Sequence, residues 1–195
     1  MNPISLNIHG IHPYSYVNGP GKRCVIHFQG CTLACPGCFN PESHALDGGT
    51  RMTLVELLEY IPQDVEGVTL SGGEPFQQIE GLLVLVKALN IRNLSVVLFT
   101  GFTVEELRKM PLAGNVLRYV DVLIDGRFEE SVPLSELMAG SRNQTVHLLS
   151  CRYTLEDFKA KQVEITLNSD GTMQITGFPS NTLLESITIT KGESV

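Results

Sequence analysis

The sequence predicts an α/β protein whose core is a mostly parallel sheet, open or partly closed. Three observations carry that expectation. Short apolar runs with strand character alternate with helix-like runs along most of the chain. The strand runs are apolar at nearly every position, as strands covered on both faces are. Two of the helix-like runs open on a Thr-x-x-Glu capping box. The size suits one domain with a full core: 195 residues, 43% of them hydrophobic and 18% charged, with no Trp.

In chain order, RCVIHFQ (23–29) reads as a strand that delivers the chain into a cysteine-rich loop. MTLVELLEYI (52–61) reads as a helix opened by Thr53 and Glu56. GVTLSGG (67–73) is a short buried strand ending on two glycines, and FQQIEGLLVLVKALN (76–90) has the length and pattern of a helix. LSVVLFTG (94–101) is the next strand, and FTVEELRKM (102–110) opens on the second box, Thr103 and Glu106. YVDVLIDG (119–126) and TVHLLS (145–150) are the remaining strands of this unit. The pattern then changes. TLEDFKAK reads as a helix, and VEITLN and TMQITGF flank Ser169-Asp170-Gly171, where Asp-Gly is a hairpin-turn signal. Residues 1–150 are expected to form one domain. Residues 151–195 are expected to add a C-terminal helix and β-hairpin packed on it, covering a sheet edge.

Composition narrows the function classes. The net charge is −7, from 14 basic and 21 acidic residues, and no run of Lys or Arg stands out; nucleic acid is disfavoured as a partner. The longest apolar stretches, such as GLLVLV (81–86), are too short to cross a bilayer. MNPISLNIHG has neither the basic nor the apolar region of a secretion signal. A cytoplasmic protein with no membrane partner is the expectation.

Of five cysteines, three lie in GCTLACPGCFN (30–40): Cys31, Cys35 and Cys38, spaced C-x3-C-x2-C. Gly30 lets backbone approach a compact inorganic group, and Pro36-Gly37 restricts the loop. Thiolates are the usual ligands of a cubane iron–sulfur cluster, and three of them leave one iron open to a small molecule. Structural zinc, with His27 or His44 completing a Cys₃His set, fits less well, because zinc ligands come as pairs separated along the chain. Incidental buried thiols are the plainest alternative. Gly72, Gly73 and Glu74 stand where a strand ends, the end at which α/β sheets bind ligands. Taken alone, Gly-Gly-Glu-Pro is an ordinary turn.

The cysteine motif followed by Gly72-Gly73-Glu74 resembles the radical S-adenosylmethionine (SAM) superfamily. VNGPGKRC (17–24), GCTLACPGCFN (30–40), LSGGEP (70–75), FTGF (99–102), DVLIDGRF (121–128) and GSRNQ (140–144) resemble one branch of it, in order and spacing, over most of the chain up to Ser150. That branch is the activating enzymes of anaerobic (class III) ribonucleotide reductase. Many superfamily members carry an aromatic residue just before the third cysteine; this chain has Gly37 there and Phe39 just after, as the branch does.

The resemblance implies a partial, open (β/α) barrel. It implies a 4Fe-4S cluster on Cys31, Cys35 and Cys38, with SAM chelating the open iron. Gly37, Cys38, Phe39, Gly72, Gly73 and Glu74 are the implied SAM contacts, with Asn40, Thr100 and Asp125 beside them. Asn40-Pro41, Thr100-Gly101 and Asp125-Gly126 also serve as plain turns, and the Phe39 ring as plain packing. No catalytic residue beyond the cluster and SAM is implied. The implied reaction cleaves SAM reductively to a 5′-deoxyadenosyl radical. That radical takes a hydrogen from a backbone glycine of a large partner, the anaerobic reductase, and a flavodoxin or ferredoxin supplies the electron. No role for Ser141, Asn143 or Gln144 follows from their spacing.

Two other functions compete. One is radical SAM chemistry on a small molecule or another peptide, as in the short 7-carboxy-7-deazaguanine synthases; the tail after GSRNQTVHLLS, which reductase activases largely lack, favours it. The other is a zinc- or cluster-stabilised binding module, which has no need of Gly-Gly-Glu at a second strand end. Cys24 sits in phase with Ile26 and Phe28 and reads as a small buried hydrophobe. Cys151 stands apart. His9, His12, His44 and His147 form no recognisable pair, and His27 reads as a core histidine.

Overall fold

The computed structural model describes residues 4–132, 135–159, 163–167 and 173–177. Seven strands form one sheet in the order β3-β1-β2-β4-β5-β6-β7. Its centre is the expected parallel unit: β2 (Arg23–Phe28), β4 (Gly67–Gly72), β5 (Ser95–Phe99) and β6 (Val122–Asp125) pair in parallel register, with Ile26 beside Leu70 and Leu70 beside Leu98. Parallel neighbours need a long crossover. These crossovers carry α1 (Leu54–Glu59), α2 (Ile79–Ile91), and the short α3 (Val104–Leu107) and α4 (Ala113–Leu117).

The margins of the sheet run the other way, which the sequence reading did not anticipate. β1 (Ser5–Ser15) lies antiparallel to both β2 and β3 (Thr50–Thr53), with Ile8 opposite Phe28 and Leu6 opposite Met52. Its histidines, Gly10 and Pro13 hide the strand signal. β7 (Thr145–Leu148) pairs antiparallel with β6, because the described part of the segment between them forms no crossover helix. Met52, read as helical, belongs to β3; α1 starts after Thr53, whose hydroxyl accepts from Glu56 N at 3.3 Å while the Glu56 carboxylate accepts from Thr53 N at 2.7 Å. The Thr103–Glu106 box opens α3 in the same way. In the expected C-terminal helix, Leu155–Phe158 form a single 3₁₀ turn, and residues 160–161 lie outside the described chain. The expected hairpin strands are β8 (Val163–Leu167) and β9 (Met173–Gly177), an antiparallel pair with Ile165 opposite Ile175; the turn at 169–171 lies outside the described residues.

Strand alternation divides the sheet into two unlike faces. On one, Cys24, Ile26, Phe28, Val68, Leu70, Val96, Leu98 and Leu123 pack against Leu57, Leu82, Leu85, Leu89, Leu107 and Val116 of the helices. On the other, Val97, Val122 and Ile124 pack against Met138, Ala139 and Phe158, which belong to connecting segments. This second face also buries Arg23 completely. Its guanidinium donates to Thr69 Oγ1 (2.8 Å), the carbonyls of Pro20 (3.1 Å), Val68 (2.8 Å) and Ser95 (3.1 Å), Ser95 Oγ (3.0 Å) and the Tyr153 hydroxyl (3.1 Å). All these partners are neutral, and burial pulls the Arg23 pKa below that of a free guanidinium. No described helix is long and apolar enough to cross a membrane.

Tyr153 therefore ties the segment after Ser150 into the core, since its hydroxyl also shares a 2.6 Å hydrogen bond with Ser95 Oγ. We predict that Tyr153→Phe, which removes one of the three acceptors around Arg23 Nη1 and the bond to Ser95 Oγ, lowers stability by about 0.5–1.5 kcal/mol. Urea denaturation should show a lower midpoint with an unchanged slope. A wild-type midpoint would show that Tyr153 is incidental.

Candidate metal and cofactor site

The carboxyl ends of β2 and β4 are joined by backbone alone. Gly73 N donates to Phe28 O at 2.8 Å and Glu74 N to Gly30 O at 2.9 Å. A Cβ on Gly73 would lie 2.4 Å from Gly30 O, and one on Gly72, at φ +96°, would lie 2.6 Å from Phe28 N. Glycine is required at both positions by this approach, before any ligand is considered. Gly30 N and Cys31 N donate to Ser43 O (2.8 Å) and His44 O (3.0 Å), so the loop leaves and returns at one place. Within it, Cys38 N reaches Cys35 O at 3.2 Å and Asn40 N reaches Cys38 Sγ at 3.5 Å.

This folding sets Cys31, Cys35 and Cys38 on the wall of one cavity of about 560 Å³. Gly37, Phe39, Asn40, Gly72, Gly73, Glu74 and Thr100 line the same space, and so do both histidines weighed as zinc ligands, His27 and His44. Asp125 is not among the lining residues. Its carboxylate accepts from Val104 N at 2.7 Å, at the start of α3, and is paired with His147 Nε2 at 2.9 Å. Burial raises the pKa of the Cys31 and Cys38 thiols, so loading metal on them displaces protons. Among the described residues, no three His, Cys, Asp or Glu side chains converge on a single ion. Three thiols bordering one cavity are a donor set of the kind that holds an iron–sulfur cluster. Cys24, fully buried, has its pKa pushed up to about 12 by burial, and Cys151 is exposed.

Glu74 is only 1% exposed. Its Oε1 accepts from Phe76 N (3.0 Å) and the Thr100 hydroxyl (2.9 Å), and its Oε2 accepts from Gly101 N (2.8 Å). One carboxylate thus binds the end of β4 to the end of β5. Burial pushes its pKa up to about 7, against the pull of the three hydrogen bonds. The cysteine loop packs on the same strand end, since a Cβ on Gly101 would meet Leu33 Cδ1 at 2.4 Å.

GSRNQ, which carried no assignable role in the sequence, is a clip. Gln144 Oε1 accepts from Gly140 N (2.8 Å) and Ser141 N (3.1 Å), while its Nε2 donates to Gly126 O (2.7 Å). Asn143 Nδ2 donates to Arg127 O at 2.8 Å, and Ser141 Oγ accepts from Glu129 N at 3.1 Å. The segment so held presents Phe128 and Glu130 to the cavity. The Phe128 ring lies 4.8 Å from that of Phe39, and the Glu130 carboxylate rests against Gly37, at φ +68°. Sequence reasoning missed both residues; the signal was their place just after the Asp-Gly that ends β6.

It also missed Asn18, Ser71 and Phe99, which line the cavity too. His27, read as a core histidine, faces this cavity, and burial pushes its pKa down to about 3, so it is neutral. The histidines do find partners: the His12 and His27 rings lie 5.1 Å apart, and His9 Nδ1 is 2.9 Å from Gln29 Oε1.

Residues 17–147 match the family model described as a 4Fe-4S single cluster domain. The anaerobic ribonucleoside-triphosphate reductase-activating protein of Vibrio cholerae is 36% identical, with 77% of this chain and all of that protein covered. Its namesake from enterobacteria phage T4 is 34% identical over 71% of this chain and 92% of its own length. The Escherichia coli K12 protein is 31% identical over 74% of this chain and 99% of its own. Among solved structures, QueE from Escherichia coli aligns with 51% of this chain and 53% of its own at 20% identity, with a TM-score of 0.37, too slight a likeness to bear on fold or chemistry.

The raised pKa of Glu74 makes stability depend on pH. A carboxyl whose pKa is about 7 when folded and near 4.5 when unfolded binds its proton more tightly in the native state. Its contribution is full at acidic pH and is lost as pH rises through that interval, by on the order of 3 kcal/mol. We predict that Glu74→Gln, which cannot ionise, flattens the fall in stability of the metal-free protein across this range. Equal slopes in variant and wild type would refute the assignment.

Proposed function

We infer the activity from one premise: this chain belongs to the 4Fe-4S single cluster domain family and, within it, to the anaerobic ribonucleoside-triphosphate reductase-activating proteins. It is a radical SAM enzyme, a glycyl-radical activase, and its cofactors are a 4Fe-4S cluster and SAM. Its protein substrate is the anaerobic reductase. When bound, the cluster and SAM supply the one-electron cleavage of a sulfonium that yields a 5′-deoxyadenosyl radical.

The chain's own residues hold, orient and enclose. Cys31, Cys35 and Cys38 are the cluster ligands, and the observation that carries this is their placement with the Gly72-Gly73-Glu74 strand end on one cavity wall. Gly72 and Gly73 leave main chain on that wall, and this backbone would hold the methionine end of SAM. Glu74 backs them with a carboxylate already fixed by Phe76, Thr100 and Gly101. An ammonium group brought against it favours its ionised form. Phe39, pinned by Phe128, and Asn40 would offer an aromatic face and an amide to the adenosine end, with Gly37 giving the loop its turn just before Cys38. Thr100 orients Glu74, and Asp125 acts one step further back, as a positioning residue for the start of α3.

Helices cover one face of the sheet and the cavity opens on the other, at the carboxyl ends of the strands. That distribution supports a partial, open barrel with one side left for a polypeptide loop. Residues 1–150 are the activase unit, and the chain from 151 is an extension whose described part contacts that unit through Tyr153, Glu164 and Thr176. A flavodoxin- or ferredoxin-type donor supplies the electron, and the setting is the cytoplasm.

The test is anaerobic reconstitution with iron and sulfide, then reduction and addition of SAM and the anaerobic ribonucleoside-triphosphate reductase. We predict 5′-deoxyadenosine together with a glycyl radical visible by electron paramagnetic resonance. Cys35→Ala is expected to abolish both. Full activity in Cys35→Ala, or a colourless wild-type protein carrying stoichiometric zinc, would overturn the reading.

A further inference from the structure

We propose that the C-terminal hairpin, β8 and β9, is the substrate-side wall of the cavity and selects the polypeptide that enters, with Ile175 and Thr176 as its specificity-determining residues. The proposal rests on the activase reading above. Ile175, Thr176 and Gly177 line the same cavity as the three cysteines. The surface they add is uncharged: a branched alkyl side chain, a hydroxyl already hydrogen-bonded, and a glycine. It suits an uncharged main-chain segment around a glycine and brings no positive charge to a phosphate or a carboxylate.

The hairpin is docked by one of its faces. Glu164 and Thr176 are direct cross-strand partners and so project to the same side. Both bind the segment before β2: the Glu164 carboxylate accepts from Tyr16 N and Thr176 Oγ1 accepts from Asn18 Nδ2, each at 2.7 Å. Asn18 is itself held rigidly. Its Nδ2 also reaches Ser15 Oγ at 2.8 Å, and its carbonyl accepts from the Thr69 hydroxyl at 2.6 Å, on β4. Through Asn18 the hairpin is registered against the strand that carries Gly72.

The comparisons separate this wall from the common chemistry. The family model ends at residue 147, and the Vibrio cholerae protein matches only 77% of this chain with its entire length. A hairpin at 163–177 lies beyond the family model, so SAM cleavage, the chemistry the family shares, does not call for it. An element added to the cavity beyond what the family shares acts on what is particular to this chain: the fit of its own reductase to the site.

The experiment uses full-length reconstituted enzyme and the anaerobic ribonucleoside-triphosphate reductase. Glu164→Ala and Thr176→Val each remove one docking bond, and Thr176→Ser keeps the hydroxyl. The reductase Kd is read by surface plasmon resonance, the KM for the reductase from glycyl-radical formation, and partner-free SAM cleavage from 5′-deoxyadenosine. Each docking variant is expected to weaken reductase binding and raise its KM by roughly five- to tenfold. Thr176→Ser should behave as wild type, and Glu164→Ala, whose side chain does not line the cavity, should cleave SAM at the wild-type rate. Unchanged Kd and KM in both variants would overturn the proposal. So would SAM cleavage that falls in step with radical formation, which would make the hairpin part of the cofactor wall. A wild-type enzyme that cleaves SAM yet never places a radical on the reductase would defeat the activase reading itself, and this proposal with it.

Discussion

Two backbone hydrogen bonds organise this molecule's chemistry: Gly73 N to Phe28 O and Glu74 N to Gly30 O. They fuse the end of β4 to the point where β2 turns into the cysteine loop. Nothing larger than hydrogen fits at Gly72 or Gly73 without striking that backbone. The start of the cysteine loop at Cys31 is therefore tied to the strand end that lines the same cavity. Cysteine loop and strand end are thus held to each other by main-chain hydrogen bonds.

The remaining contacts steady this unit from outside. Glu74 carries the connection on to β5 through Thr100 and Gly101, and Leu33 of the cysteine loop seats on Gly101. Gln144 and Asn143 hold the chain after β6 so that Phe128 meets Phe39 and Glu130 meets Gly37. Beneath the cavity, Arg23 satisfies its donors with neutral oxygens from four parts of the chain, including Tyr153. The cost of burying that charge is offset only if every partner stays in place, which makes this face intolerant of loosening.

The sequence made much of this legible where cause and effect are local. The capping boxes at Thr53 and Thr103 were readable because both partners lie within four residues. C-x3-C-x2-C and Gly-Gly-Glu announced themselves because cluster ligation and close backbone approach demand fixed residue types at fixed spacing. What stayed hidden was tertiary. β1 was missed because its histidines, Gly10 and Pro13 break the apolar pattern, and its pairing with β3 depends on residues more than 40 positions away. Asp125 was expected to line the cavity, and its carboxylate is instead held by Val104 and His147, neither of which its neighbours in sequence reveal. GSRNQ had no readable purpose because its partners, Gly126, Arg127 and Glu129, lie 12 to 18 residues earlier in the same β6–β7 connection, beyond the reach of a local motif.

The central claim is that this cavity brings a backbone glycine of the reductase to a radical derived from SAM. The most direct measurement supplies reductase whose glycines carry deuterium at Cα and follows the label into 5′-deoxyadenosine by mass spectrometry. Abstraction breaks the Cα–D bond, forms a C–D bond at the 5′-carbon and leaves the unpaired electron on the glycine. The account predicts one deuterium in the 5′-deoxyadenosine for each glycyl radical formed. Unlabelled 5′-deoxyadenosine produced in step with the radical would contradict it.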